Sequence, residues 1–81
     1  MSREFGWMAP LDDGERGAVA YAEPGTMLDD GDWYLDATSP KRGPVLAMEG
    51  EHVPAGGLYI VRSQVDGALW DRLQAAASGK L

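Results

Sequence analysis

An 81-residue chain with no cysteine and thirteen acidic against seven basic residues, for a formal charge of −6, excludes several classes of protein at once. Disulfide frameworks, thiolate nucleophiles and thiolate zinc sites are absent, and a field of this sign repels phosphate backbones and anionic lipid surfaces. No stretch approaches the ~20 apolar residues of a membrane span, and the N-terminus does not read as a signal peptide, so the expectation is a single small domain over 1–81 in the cytoplasm.

A domain of this length buries only about 60 to 65% of the surface that its unfolded chain exposes. Fifteen Leu, Ile, Val and Phe residues make a thin core, which three Trp, three Tyr and four Met enlarge. Each aromatic ring buries on the order of 150 to 250 Å². A folded domain is expected, one to which a partner or a second copy would add stability, because anything that binds only the native state shifts the folding equilibrium.

Residues 1–10 place Phe5 and Trp7 on one face when extended, which predicts an edge strand or a partly ordered segment. Leu-Asp-Asp-Gly occurs twice, at Leu11–Gly14 and Leu28–Gly31. Asp-Gly supplies successive positive φ angles at little cost, so each copy predicts a tight hairpin turn. The two copies lie too close together, and are too few, to make a solenoid repeat. Between them, Arg16–Glu23 carries Val19 and Tyr21 at alternate positions and predicts a strand ended by Pro24-Gly25, the pair that favours a type II turn.

Asp32-Trp33-Tyr34-Leu35-Asp36 is the clearest alternating strand in the chain, with Trp33 and Leu35 on one face and Asp32, Tyr34 and Asp36 on the other. A Pro- and Gly-bounded loop with the basic pair Lys41-Arg42 follows, then a short apolar strand over Val45–Met48. Leu58–Arg62 is apolar on both faces and is expected at the centre of the sheet. A helix over 63–78 closes the chain, with Ser63 and Asp66 as its start signal and Gly79-Lys80 as its stop. Val65, Ala68, Leu69, Leu73, Ala76 and Ala77 form its apolar stripe, with Trp70 at the margin. The fold class expected is α+β: a small, mainly antiparallel sheet of four to five strands with one C-terminal helix packed on one face.

No pattern for catalysis emerges. His52 is the one imidazole, Ser39 and Ser63 are the serines nearest in spirit to a nucleophile, and no Gly-x-Ser-x-Gly elbow supports them. The glycine-rich stretches lack the Lys-Ser/Thr of a phosphate loop. The aspartates of the two Asp-Gly turns do not match a calcium loop, because Trp33 stands where an oxygen ligand is required. The chain is therefore expected not to be an enzyme and to carry no cofactor or dedicated metal ligands. The function expected is protein binding through an acidic face made by Asp29, Asp30, Asp32, Tyr34 and Asp36, with a partner that presents a basic surface. Its sharpest form is an inhibitor that fills the nucleic-acid groove of its target, as small phage anti-defence proteins can. The alternatives are a structural subunit or small homodimer, and a divalent-cation module built on the Asp-Gly turns.

Overall fold

Alternation along one short strand organises the molecule. The computed structural model describes residues 5–40 and 43–80, and in it Trp33–Asp36 forms β1, Val45–Leu46 forms β2 and Tyr59–Val61 forms β3. Helix α1 spans Asp13–Gly17 and α2 spans Gly67–Ala77. The fold is α+β, with a three-stranded antiparallel sheet in the order β2-β1-β3 in place of the expected four or five strands. Tyr34 pairs with Val45 on one side and Val61 on the other, while Leu35 pairs with Ile60.

The central strand is thus β1, not Leu58–Arg62. Within Leu58–Arg62, Ile60 and Val61 are buried on opposite faces for a different reason, because apolar layers lie above and below the sheet. One layer joins Leu35 and Ile60 to Met8, Leu11, Leu69, Trp70, Leu73 and Ala76. The other joins Tyr34 and Val61 to Ala22, Leu28, Ala47 and Val53. Each large side chain fully buried in such a layer contributes about 1.5 to 3 kcal/mol.

Several expected elements take other forms. Among residues 1–10, positions 1–4 lie outside the described residues, and Gly6–Met8 is a turn of 3₁₀ helix instead of an edge strand. It is fastened to the end of β1 by the Trp7 indole, which donates to the Ala37 carbonyl at 2.7 Å. The first Leu-Asp-Asp-Gly is no hairpin. Asp12 caps α1 by accepting from the Glu15 amide at 2.7 Å, while the Glu15 carboxylate accepts from the Asp12 amide at 3.0 Å, a reciprocal capping box that draws Asp13 and Gly14 into the helix. With Arg16 and Gly17 also helical, the strand expected over Arg16–Glu23 reduces to a single bridge between Ala22 and Tyr59.

The second copy is a turn within a longer ribbon. The Asp32 amide closes on the Asp29 carbonyl, Gly31 has φ +86°, and the Gly31 amide and Asp32 carbonyl both engage Ala47. That is a bulge with a left-handed glycine at its first position. Directly across, the Glu51 amide closes on the Met48 carbonyl around Gly50 at φ +79°. The two turns face each other, and pairing resumes beyond them in the same register, with Met27 opposite His52. The Pro24-Gly25 turn forms as its sequence predicts, Thr26 donating to Glu23 across Gly25 at φ +84°.

Helix α2 starts at Asp66, whose carboxylate accepts from the Ala68 amide at 3.0 Å, so Ser63 falls in the preceding 3₁₀ turn Arg62–Gln64. Its end matches the expectation: Gly79 donates to Ala76 and Lys80 to Ala75, with Gly79 at φ +71°. The buried stripe is Leu69, Trp70, Leu73 and Ala76, with Ala68 exposed. Trp70 thus sits inside the interface rather than at its margin, while Val65 and Ala77 pack against the edge of the same layer.

Leu35→Ala removes a side chain with no exposure at the junction of β1 and α2. It is expected to destabilise the fold by about 2 to 5 kcal/mol in urea denaturation. Gly31→Ala, which forces a Cβ into left-handed backbone, is expected to cost about 1 to 2 kcal/mol in the same measurement.

Candidate functional site

Acidic side chains are the commonest polar groups on this surface, and the structure divides them by what their oxygens hold. Asp12 and Glu15 cap α1, and the Glu15 carboxylate also receives two donors from the Arg72 guanidinium, at 2.8 and 3.2 Å. That pairing, helped by the Asp12 amide, holds the Glu15 carboxyl down to about 2. Asp13 pairs with Arg16. These groups tie α1 to α2 and are structural.

The five residues expected to form the acidic face separate in the same way. Asp32 accepts from the Trp33 amide at 2.8 Å and from the Ser63 hydroxyl, which binds the end of β3 to the start of β1. Asp36 accepts from the Thr38 amide at 2.9 Å and its hydroxyl at 2.6 Å, closing the turn after β1. Tyr34 does not point into solvent. It is 8% exposed, packs edge-on against Tyr59 at 5.8 Å between ring centroids, and donates its hydroxyl to Glu51. The cover comes from the ribbon residues Leu28 and Val53, while the N-terminal segment packs on the opposite face.

Asp29 and Asp30 remain. Both are exposed, and among the described residues no hydrogen bond or ion pair engages their carboxylates. Glu49, exposed on the facing turn, joins them. On either side stand Met27, 65% exposed, and Met48, 64% exposed. The sequence pattern identified the two aspartates but gave no sign of Glu49 or the methionines, because a facing turn joins residues some twenty positions apart.

Further chemistry finds no assembled group. Among the described residues no three His, Asp or Glu side chains converge on a point that would hold a metal ion. His52 is exposed opposite Met27, and Ser63 is committed to Asp32. The basic pair Lys41-Arg42 lies outside the described residues. No described helix is long and apolar enough to cross a membrane. Two clefts flank the sheet beside β2. One, of about 390 Å³, is lined by Trp33, Pro44, Arg62, Trp70, Asp71 and Gln74. The other, of about 410 Å³, lies on the opposite face between Tyr34, Val45 and Tyr59. Comparison with family models, with curated proteins and with solved structures finds no match to this chain.

The Tyr34–Glu51 bond makes stability depend on pH in two windows. The bond to the Glu51 carboxylate, with burial, pushes the Tyr34 hydroxyl up to about 12 from 10.0. Its contribution is full below pH 10 and is lost as pH rises toward 12. Glu51 is held below its ordinary 4.5 by the Tyr34 hydroxyl and the Met48 amide, so its contribution is present above that value and fades in acid. Melting temperature is expected to hold between these limits and fall outside them. Tyr34→Phe is expected to flatten the alkaline decline and leave part of the acid one, because Glu15 still loses Arg72 on protonation.

Proposed function

We propose that this chain is a protein-binding module whose working surface is the pair of facing turns bearing Asp29, Asp30 and Glu49, flanked by Met27 and Met48. The observation that carries the reading is the coincidence of unengaged carboxylates with the two most exposed large apolar side chains of the described residues. Protein interfaces combine apolar contact area with polar and charged groups. Methionine suits the apolar part, since its flexible thioether adapts to an irregular partner surface.

The charge specifies the partner. A surface of aspartate and glutamate on a chain of net −6 accelerates encounter with basic proteins and disfavours nucleic acid itself. In its most specific form the module is an inhibitor that occupies the nucleic-acid groove of its target. Tyr34, Asp32 and Asp36 act behind this surface, holding β1 and its turns in place. In this reading binding alone is the activity.

Affinity capture from a lysate, at salt of roughly 0.05 M and roughly 0.5 M, tests the proposal with Asp29→Asn/Asp30→Asn as the control. The expected result is a basic partner retained at low salt, released at high salt and lost in the double variant, which keeps its circular dichroism spectrum. Capture indifferent to both salt and substitution would refute the reading. Asp32→Asn, by contrast, is expected to lower the melting temperature through loss of its bonds to Ser63 and Trp33.

A further inference from the structure

We propose that Met27 and Met48 form a paired modification site, at which a hydroperoxide adds one oxygen atom to each sulfur, turns the apolar part of the binding surface polar and leaves the fold intact. The consequence for binding rests on the surface assigned above, whereas the chemistry rests only on where the sulfurs lie. Three methionines fall among the described residues, and the fold treats them in two ways. Met27 and Met48 are exposed over most of their surface, while Met8 is buried at 1% exposure.

Met8 belongs to the layer beneath α2, and its sulfur accepts from the Tyr21 hydroxyl at 3.9 Å. An oxidant reaches that thioether only when the domain opens, and a sulfoxide there sets a polar oxygen in an apolar cluster, at a cost to stability. The other two methionines carry their structural duties on the backbone. Met27 pairs with His52 across the ribbon. The Met48 amide donates to the Glu51 carboxylate at 3.0 Å, and the Met48 carbonyl accepts from the Glu51 amide at 3.1 Å. Neither side chain is part of either apolar layer; their chain neighbours Leu28 and Ala47 take the inward positions. Both thioethers are thus open to solvent, and the fold makes no use of them.

The step needs one co-reactant, the hydroperoxide. With hydrogen peroxide, a sulfur lone pair attacks one oxygen, and the S–O bond forms as the O–O bond breaks. The proton on the transferred oxygen passes to the departing hydroxide, which leaves as water. The sulfur is oxidised by two electrons and the peroxide is reduced by two. The product sulfoxide is a polar group where a weak acceptor stood, so a flexible side chain suited to apolar contact becomes one that is costly to desolvate. Met27 stands two residues before Asp29, and Met48 directly precedes Glu49. Oxidation therefore leaves the charge of this surface unchanged and removes its apolar contribution.

The test treats the folded full chain with hydrogen peroxide and reads peptide masses, melting temperature and retention on a hydrophobic column. The expected result is one added oxygen on each of Met27 and Met48, an unmodified Met8, an unchanged melting temperature and earlier elution. Met8 is expected to gain oxygen only when the chain is treated in urea. Methionine sulfoxide reductase is expected to restore the retention, and Met27→Leu/Met48→Leu, which lacks both sulfurs, to show no peroxide-dependent shift. Oxidation of Met8 in the folded chain at the pace of the other two, an unreactive Met27 or Met48, or a fall in melting temperature overturns the proposal. In the low-salt capture described above, oxidation is expected to weaken partner retention about tenfold; retention indifferent to oxidation overturns the proposal as well. If the untreated chain captures no salt-sensitive partner, the binding reading fails by itself, and the masses, melting temperature and elution decide the modification site.

Discussion

Burial of both faces of β1 is the constraint on which the remainder of the molecule depends. Three residues supply it: Trp33 and Leu35 contribute to the layer beneath α2, and Tyr34 contributes to the layer beneath the ribbon. A strand's side chains alternate by geometry, so one strand can serve two clusters only if something covers each face. Here α2 and the N-terminal 3₁₀ turn cover one, and the ribbon that bends back past the Asp29–Asp32 and Met48–Glu51 turns covers the other. In so short a chain this two-sided use makes one central strand do what two separate sheets do in a larger domain. The polar bonds follow the same plan, since Trp7, Asp32, Tyr34 and Asp36 all fasten β1 or the turns at its ends.

Features carried by a few adjacent residues were legible in the sequence. The alternation of Trp33 to Asp36, the Pro24-Gly25 turn and the Gly79 stop each follow from local chemistry, and the faces of β1 are assigned correctly. Features set by long-range cover were not. The Asp-Gly at Asp13 joins a helix because Glu15, two residues beyond it, completes a capping box, a competing signal that outweighs the hairpin preference. By alternation Tyr34 faces away from Trp33 and Leu35, toward either solvent or a second layer; Leu28 and Val53 supply that layer, and no local pattern connects them to it. Leu58–Arg62 resembles a central strand because burial on both faces, and not pairing on both sides, determines apolar composition.

The acidic groups show the same division at the level of function. Composition alone cannot separate a carboxylate that holds the fold together from one that faces a partner, but hydrogen-bond partners can. Glu15, Asp32, Asp36 and Glu51 are consumed by amides, hydroxyls and one guanidinium. Asp29, Asp30 and Glu49 are exposed and, among the described residues, engaged by no hydrogen bond, and Met27 and Met48 are exposed near them in the chain. The proposed surface therefore keeps Asp29 and Asp30 of the face expected from sequence, and takes Glu49 in place of Asp32, Tyr34 and Asp36.

Native-state hydrogen exchange is the measurement that bears most directly on β1 as the organising element. Amides released only by global unfolding exchange with the full stability of the domain, whereas peripheral elements open locally at lower free energy. The account predicts that the amides of Leu35 and Ala37, the latter bonded to the Leu58 carbonyl at 2.8 Å, exchange most slowly, with α2 fraying at lower free energy. Slowest exchange in α2, with β1 opening independently of it, would contradict the account and place the stable centre of the molecule in the helix.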